Sequence, residues 1–263
     1  MKTFLRDMKT TARAFALRGG RTLDNLYFPT VQKSGSQWIS AIFSDRRMAR
    51  ITRLVRMPQR NYEYGEHVAR FPRGVFVPGL YVSYQTYRYF IEKPEAHKAV
   101  YIYRDPRDLV VSDYHSTMKT HAENPVVLDL RRRFAGVPKR EALSYFIRFN
   151  DKFSVMRSWV ELGREDPDIL FLKFEDITSR PLEGIESILR HCGLDYSAAE
   201  VSGIVGDYTK DRMRERDLAH RQDKTESHYR FKSSSHRDEF EAEHYQLFRE
   251  VTGNLIEVLG YEP

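Results

Sequence analysis

The sequence predicts an α/β fold, with one domain built on a central, mostly parallel sheet that is flanked by helices. Short apolar strands alternate along the chain with amphipathic helices, which is the order that parallel sheets produce. The chain has 263 residues, enough to bury one sizeable core. Polar segments follow two of the strands, and ligands bind beyond the carboxyl ends of strands in such folds.

The N-terminal residues 1–23 are expected to form an extension ahead of a domain that covers residues 24–263. Apolar side chains recur in the extension at helical spacing, at Phe4, Leu5, Met8, Ala12, Phe15 and Ala16. Lys and Arg lie between them, and the apolar run of a secretory signal is missing. We therefore predict an amphipathic helix that packs on the body of the protein, with an anionic membrane surface as the alternative.

The first strand is predicted at residues 25–31, and a loop at residues 32–36 connects it to a helix. One face of that helix is apolar, with Trp38, Ile39, Ile42 and Phe43. Three further strands are predicted at residues 74–77, 99–103 and 168–174. After the strand at 99–103, Asp105 can cap the next helix and Pro106 suits its first turn.

The second half of the chain is predicted to be mainly helical. The apolar spacing indicates a long helix at residues 140–162, a helix that begins near Pro181, and a last helix at residues 238–259. The segment 210–237 is highly charged and has no apolar periodicity. We expect it to be a long loop of functional importance.

The turn after the first strand has the composition of an anion site, in the sequence Lys33-Ser34-Gly35-Ser36-Gln37-Trp38. Gly35 allows a tight turn, and the free N–H groups at the helix start favour negative charge. Lys33 adds a full charge, and Ser36 and Gln37 add hydrogen-bond donors. The turn is not a Walker A loop, because it has one glycine and its lysine comes first. An ordinary surface turn is the alternative interpretation.

A second motif begins where the strand at 99–103 ends, in the sequence Arg104-Asp105-Pro106-Arg107-Asp108-Leu109-Val110-Val111-Ser112-Asp113-Tyr114-His115. Arg104 emerges at the edge of the sheet, and Ser112 follows about two helical turns later. Both side chains can reach one phosphate group. The alternative is an arginine that is held by Asp105 or Asp108 in an ordinary turn.

Together the two motifs resemble those of the cytosolic-type sulfotransferases that use PAPS (3'-phosphoadenosine 5'-phosphosulfate). Residues 33–38 look like the family's P-K-S-G-T-T-W loop, and residues 104–115 look like its R-N-P-K-D-x-x-V-S-Y-Y-H motif. Residues 171–176 resemble the family strand that ends in Y-E-D. The resemblance implies a sulfotransferase domain with a P-loop, nucleotide-kinase-like fold. It also implies in-line transfer of a sulfuryl group from PAPS to a hydroxyl or amine, with release of PAP.

The resemblance implies a role for each matching residue. Lys33 would hold the 5'-phosphosulfate and stabilise the leaving oxygen, and Ser34, Gly35, Ser36 and Gln37 would cradle the same group. Trp38 would flank the adenine, near a family segment that Thr209 matches loosely. Arg104 and Ser112 would bind the 3'-phosphate. Arg230 and Lys232 stand where the family has R-K-G-x-x-G-x-W, although the glycines and the tryptophan are missing.

The resemblance does not identify the catalytic base. Where many members have K-T-H, this chain reads Pro78-Gly79-Leu80-Tyr81-Val82-Ser83-Tyr84. Candidates are His67, Glu63 and Glu66. We favour His67, because an imidazole has a pKa near neutrality whereas a carboxylate would need its pKa raised. The alternative is that all three are surface residues. His115 matches a family histidine whose role looks structural.

Composition limits the partners. The formal charge of +6 suits an anionic ligand, and no nucleic-acid-binding motif is present. The one cysteine, Cys192, excludes a disulfide within the chain and a cysteine metal site, and it fits a cytoplasmic location.

We expect PAPS as donor, no metal, and a small-molecule, lipid or glycan acceptor. We also expect no nucleic acid and no transmembrane segment, and we leave a homodimer open. Alternative functions are PAP binding without catalysis and a nucleotide-kinase-like activity.

Overall fold

The protein is described by a computed structural model that covers residues 2–58, 69–220 and 235–263. The chain forms two compact units. The first consists of Met1–Tyr103 and Ser154–Tyr208, and the second consists of Arg104–Phe153 and Thr209–Pro263. The prediction of an extension at 1–23 followed by one domain at 24–263 stays a prediction.

A parallel sheet lies at the centre of the first unit and confirms the predicted α/β class. Its five strands run in the order β2-β4-β1-β6-β7, and a separate pair is formed by β3 and β5. All of these pairings are parallel. The strands are β1 Asn25–Pro29, β2 Val55–Arg56, β3 Ala69–Arg70, β4 Val75–Leu80, β5 Ile91–Glu92, β6 His97–Tyr103 and β7 Ile169–Lys173.

Helices make up most of the remaining described chain. They are α1 Lys2–Ala16, α2 Ser36–Phe43, α3 Arg46–Thr52, α4 Tyr84–Phe90, α5 Pro106–His115, α6 Pro125–Arg133, α7 Lys139–Arg148, α8 Lys152–Leu162, α9 Phe174–Ser179, α10 Pro181–His191, α11 Ala198–Asp207, α12 Lys210–His220, α13 His236–Glu239, α14 Ala242–Thr252 and α15 Leu255–Val258. A π-helical turn, Ser116–Thr120, continues α5. Among the described residues, no helix has the length and apolar character that a membrane crossing requires.

The core of the first unit fixes the helix α2 against the sheet. Ile39, Ile42 and Phe43 of this helix are buried together with Phe28 of β1 and Phe76 of β4. The rings of Phe28 and Phe43 meet edge to face, with centroids 4.9 Å apart. Since β1 and α2 share this packing, the short loop between them is anchored at both ends.

The predicted strands and the N-terminal helix are confirmed, with ends that differ by a few residues. In α1, Thr10 and Ala14 are buried, so the helix packs on the body of the protein through these residues and not through the predicted apolar face, of which Met8 and Phe15 are 53% and 61% exposed. The prediction of one long helix at residues 140–162 is wrong, because α7 ends at Arg148 and a separate helix, α8, begins at Lys152. Asn150 accepts a hydrogen bond from the backbone N–H of Lys152 at 3.2 Å and so starts a new helix.

Two expectations for the C-terminal part are also wrong. The last helix is divided into α13, α14 and α15. The predicted loop at 210–237 begins with a helix, α12, which Thr209 starts by accepting a hydrogen bond from the N–H of Arg212 at 3.4 Å. Met213 is the buried apolar residue of α12. Because one apolar residue produces no helical repeat, the sequence pattern did not indicate this helix. Residues 221–234 lie outside the described chain.

Candidate functional site

The loop of residues 30–35 begins at the carboxyl edge of the parallel sheet. The hydroxyl of Thr30 donates to the carbonyl of Ile102 on β6 at 2.6 Å, and its N–H donates to the carbonyl of Leu80 on β4 at 3.1 Å. The loop therefore starts at the end of β1, between the ends of the two strands that flank it. This is the position where α/β folds bind ligands.

Two residues of the loop adopt the left-handed backbone conformation. Gly35 has φ of 82° and precedes the first residue of α2, Ser36. Lys33 has φ of 74°, although it is not a glycine. A left-handed lysine costs about 1–2 kcal/mol, and such strain clusters at functional sites. Alternating left-handed residues also turn backbone N–H groups toward one concave surface that suits an anion.

Gly35 fits its position because Phe174 lies directly against it. A Cβ atom at residue 35 would stand 2.5 Å from Cε2 of Phe174, which is closer than carbon atoms approach. Phe174 is the first residue of α9 and follows β7. The ring of Phe174 thus packs against the loop and leaves no room for a side chain at residue 35.

Ser34 contributes a buried hydroxyl that no described residue satisfies. The residue is 0% exposed, and its Oγ has no hydrogen-bond partner within the described chain. A buried hydroxyl without a partner costs about 1–3 kcal/mol. An oxygen of a ligand bound in the loop would satisfy this hydroxyl.

The first turn of α2 carries the remaining polar residues of the loop. Ser36 Oγ and the hydroxyl of Tyr81 form a hydrogen bond of 3.0 Å, while Gln37 is exposed. Because Gly35 has no side chain that could cap the helix, the first N–H groups of α2 remain available to an anion. The helix thus presents backbone and side-chain donors on the same turn.

Trp38 is half-buried on the next turn of the same helix. Its indole N–H donates to the carbonyl of Tyr208 at 2.7 Å. Thr209, the residue predicted near the adenine, follows Tyr208 in the chain and is exposed. The structure therefore places Trp38 beside the residue that precedes Thr209.

The second predicted motif lies in the second unit. Arg104 follows β6 directly, and its guanidinium approaches the carboxylate of Asp108 at 4.0 Å, with only 12% of the arginine side chain exposed. Asp108 also accepts a hydrogen bond of 2.7 Å from the backbone N–H of His236. Ser112 is buried on α5, the helix that starts two residues after Arg104.

The start of α5 is fixed by a buried ion pair. Asp105 caps the helix by accepting from the N–H of Arg107 at 2.9 Å, and the Arg107 side chain donates to both carboxylate oxygens at 3.1 and 2.8 Å. This confirms the predicted cap. His236 Nε2 lies 3.6 Å from the same carboxylate. Burial alone would raise the pKa of Asp105, but hydrogen bonds from His236 and Arg107 lower it well below its usual range.

We expect Asp105→Asn to destabilise the protein by about 3 kcal/mol at neutral pH, because it leaves the buried guanidinium of Arg107 without its charge partner. Since the folded-state pKa is depressed, the stabilisation is present above the ordinary aspartate pKa of 3.8 and is lost as pH falls. The difference between wild type and variant should therefore shrink below about pH 4. Urea unfolding at several pH values measures it.

Asp45→Asn is a matched control, because Asp45 caps α3 with the same geometry. It accepts from the backbone N–H of Arg47 at 2.8 Å and from its side chain at 3.1 and 2.8 Å. Here the arginine side chain is 33% exposed and also pairs with Asp207 at 2.8 Å. We expect a loss of about 1 kcal/mol or less. Equal losses for the two variants would contradict the importance of burial at Asp105.

Several predicted site residues fall outside the described chain. These are the base candidates Glu63, Glu66 and His67 and the phosphate ligands Arg230 and Lys232. Their roles stay predictions. Among the described residues, no group of His, Cys, Asp and Glu side chains forms a metal site.

Sequence reasoning missed two residues beside the loop. Tyr81 reaches Ser36 from the end of β4, and Arg56 of β2 donates from Nε to Ser40 Oγ of α2 at 2.8 Å. Tyr81 was visible only as part of a segment that lacks K-T-H. Arg56 has no sequence signal, because an arginine on a two-residue edge strand resembles any other surface arginine.

Comparison with known proteins points to one family. The model of the family described as Sulfotransferase domain matches residues 24–260. Mouse Sulfotransferase 4A1 is 28% identical over 140 residues, which is 49% of this chain and 43% of that protein. Zebrafish Sulfotransferase 6B1 is 27% identical over 133 residues, covering 48% and 39% of the two chains. The matches thus span less than half the length of these relatives.

Solved structures share the fold at low sequence identity. The structure of mouse sulfotransferase SULT7A1 complexed with PAP superimposes with a TM-score of 0.55 and 15% identity, over 95% of this chain and 90% of that one. A structure of retinol dehydratase in complex with retinol and PAP gives a TM-score of 0.55 and 16% identity, over 97% and 86%. At such identities the likeness is one of fold.

Proposed function

Because the chain belongs to the Sulfotransferase domain family, which matches it over residues 24–260, we propose that it transfers a sulfuryl group from PAPS to an acceptor hydroxyl or amine. When bound, PAPS supplies a sulfuryl group whose bond to the phosphate oxygen breaks as the bond to the acceptor forms. The protein would bind this donor, orient it and stabilise the charge that the departing PAP gains.

The observation that carries the proposal is the buried hydroxyl of Ser34. It has no hydrogen-bond partner among the described residues, and it lies between the left-handed residues Lys33 and Gly35. A phosphosulfate oxygen would satisfy this group, and the N–H groups at the start of α2 would bind the same anion. The residues present therefore fit the 5' end of PAPS.

The residues of the second unit fit a phosphate group as well. Arg104 is mostly buried and lies 4.0 Å from the carboxylate of Asp108, and Ser112 lies on the helix that follows. A guanidinium held in this way can form charge-assisted hydrogen bonds with a phosphate. We propose that Arg104 and Ser112 bind the 3'-phosphate, with Thr209, Arg230 and Lys232 as further contacts of the nucleotide.

Lys33 would act on the leaving group, and a separate base would take the proton of the acceptor. The ammonium of Lys33 stabilises negative charge on the oxygen that departs with PAP. We keep His67 as the proposed base, with Glu63 and Glu66 as alternatives. An unperturbed imidazole has a pKa near neutrality, as a general base requires.

The acceptor is proposed to be a small molecule or a lipid, with a glycan as the alternative. Support comes from the aromatic helix α4, where Tyr89 is 73% exposed and Phe90 is 45% exposed. Aromatic walls favour an apolar or aromatic alcohol. A cytoplasmic location and a homodimer stay predictions from the sequence.

The donor site can be tested without knowledge of the acceptor. PAP at about 100 times its dissociation constant should stabilise the protein by about 2.7 kcal/mol. In a chain of this size the melting temperature should rise by about 5–10 °C. ATP at the same concentration should produce a much smaller shift. The measurement is thermal unfolding with PAP, with ATP and with buffer alone.

A shift with ATP and none with PAP would reject the proposal in favour of a nucleotide kinase. A shift with PAP should be followed by an acceptor screen with radiolabelled PAPS over phenols, alcohols, amines and glycans. PAP binding without transfer to any acceptor would support the alternative of a binding protein that lacks catalysis.

A further inference from the structure

A small, shallow cavity that is open to solvent lies at the carboxyl ends of the strands β2 and β4, beside the first turn of α2. Its lining residues come from these three elements and are Ser36, Gln37, Ser40, Arg56, Pro78 and Gly79. All of them belong to the first unit. Two of them, Ser36 and Gln37, also belong to the proposed phosphosulfate loop, so the cavity adjoins the site where the 5' end of PAPS would bind.

Arg56 supplies the charge of this cavity. It ends the edge strand β2, which pairs in parallel with β4, and its Nε donates to Ser40 Oγ at 2.8 Å. Ser40 is buried on α2, one turn after Ser36, so the hydrogen bond ties the guanidinium to the helix. Among the residues that line the cavity, Arg56 carries the one charged side chain.

Gly79 of β4 lines the cavity opposite α2 without adding a side chain to it. This residue has φ of 60°, and a Cβ there would stand 3.0 Å from the hydroxyl of Tyr81 and 3.5 Å from Cβ of Ser36. The Tyr81 hydroxyl is bonded to Ser36 Oγ at 3.0 Å. Because residue 79 is a glycine, no side chain fills the space between Ser36, the Tyr81 hydroxyl and the cavity.

We propose that Arg56 binds the sulfuryl group that is transferred, an inference that rests on the proposed sulfotransferase function. The sulfuryl group of PAPS is anionic and extends beyond the phosphate that the loop would hold. A planar guanidinium offers parallel hydrogen bonds to such an oxyanion. The segment 78–84 contains neither lysine nor histidine. Arg56, on the strand β2 beside β4, therefore supplies the positive charge of the cavity.

The test compares two ligands that differ by the sulfuryl group alone. Binding of PAPS and of PAP is measured by calorimetry for wild type, Arg56→Ala and Arg56→Lys. Arg56→Ala should weaken PAPS binding by about tenfold or more, the usual effect of losing a charge-assisted hydrogen bond, and should leave PAP binding unchanged. Arg56→Lys keeps the charge and should recover part of the loss.

Arg50→Ala is the matched control, since it removes an equal charge from the exposed side of α3, where the Arg50 side chain is 67% exposed. It should change neither affinity. An equal loss of PAPS and PAP affinity in Arg56→Ala, or no loss, would overturn the inference. If wild type binds neither ligand, the proposed function itself fails. If wild type binds both and Arg56→Ala keeps their affinity ratio, only the role of Arg56 fails.

Discussion

Replacing Lys33 with methionine should lower turnover by about 10²–10³-fold, the usual effect of removing one group that stabilises developing charge. Methionine keeps the length of the side chain and meets the same backbone penalty at φ of 74°, so the variant isolates the positive charge. Turnover should be measured with radiolabelled PAPS and the best acceptor of the screen. The folded structure should be unchanged by circular dichroism.

The backbone of Lys33 provides a second test of the same role. A glycine would adopt the left-handed conformation without the penalty that a lysine meets. Lys33→Gly should therefore be at least as stable as wild type while its turnover falls as far as that of Lys33→Met. Such a gain in stability with a loss of activity indicates strain that is kept for function.

Lys9→Met serves as the control for net charge, because Lys9 is exposed on α1. It should retain full turnover. Turnover of Lys33→Met close to wild type would contradict the role of Lys33. A loss of turnover that is accompanied by unfolding would instead assign Lys33 to the stability of the loop.

The fold could be predicted because its strands are short apolar runs and its motifs stand at strand ends. At two places where the prediction failed, a polar side chain accepts a hydrogen bond from a backbone N–H group and starts a helix. Asn150 divides the helix expected at residues 140–162, because its side chain caps Lys152. Thr209 starts α12 in a segment without apolar periodicity. Local capping of this kind overrides the hydrophobic pattern that guided the prediction.

The candidate site was predictable where chemistry and sequence position coincide. Lys33, Gly35 and Arg104 lie at strand ends, and their residue types alone suggest an anion site. Arg56 and Tyr81 could not be found in this way, because they reach α2 from the ends of other strands through side-chain hydrogen bonds that the sequence does not reveal. The packing of Phe174 against Gly35 was equally hidden, since the two residues are far apart in the sequence.

Gly35→Ala should abolish detectable PAP binding, with a loss of affinity of about 100-fold or more, which corresponds to about 2.7 kcal/mol. The added methyl group would meet Phe174 at 2.5 Å, so that the loop, the ring or both must move. The N–H groups at the start of α2 would then no longer converge on the anion, and misplacement by an ångström costs much of such an interaction. Calorimetry with PAP measures the effect.

Gly136→Ala separates the clash from the backbone conformation. Gly136 has φ of 77°, close to that of Gly35, but a Cβ there would meet no atom within 4 Å. Both variants therefore carry the same left-handed penalty of about 1–2 kcal/mol in stability. Only Gly35→Ala should lose PAP binding. Equal behaviour of the two variants would mean that the contact with Phe174 does not shape the loop.

The contact also predicts how the loss can be relieved. In the double variant Gly35→Ala with Phe174→Ala the clash is removed, whereas the left-handed penalty remains. PAP affinity should recover in part, and the free energies of the two changes should be non-additive, because the residues are in direct contact. Additive effects would place the function of Gly35 in its backbone alone. Recovery would show that the ring of Phe174, at the end of a different strand, sets the shape of the anion site.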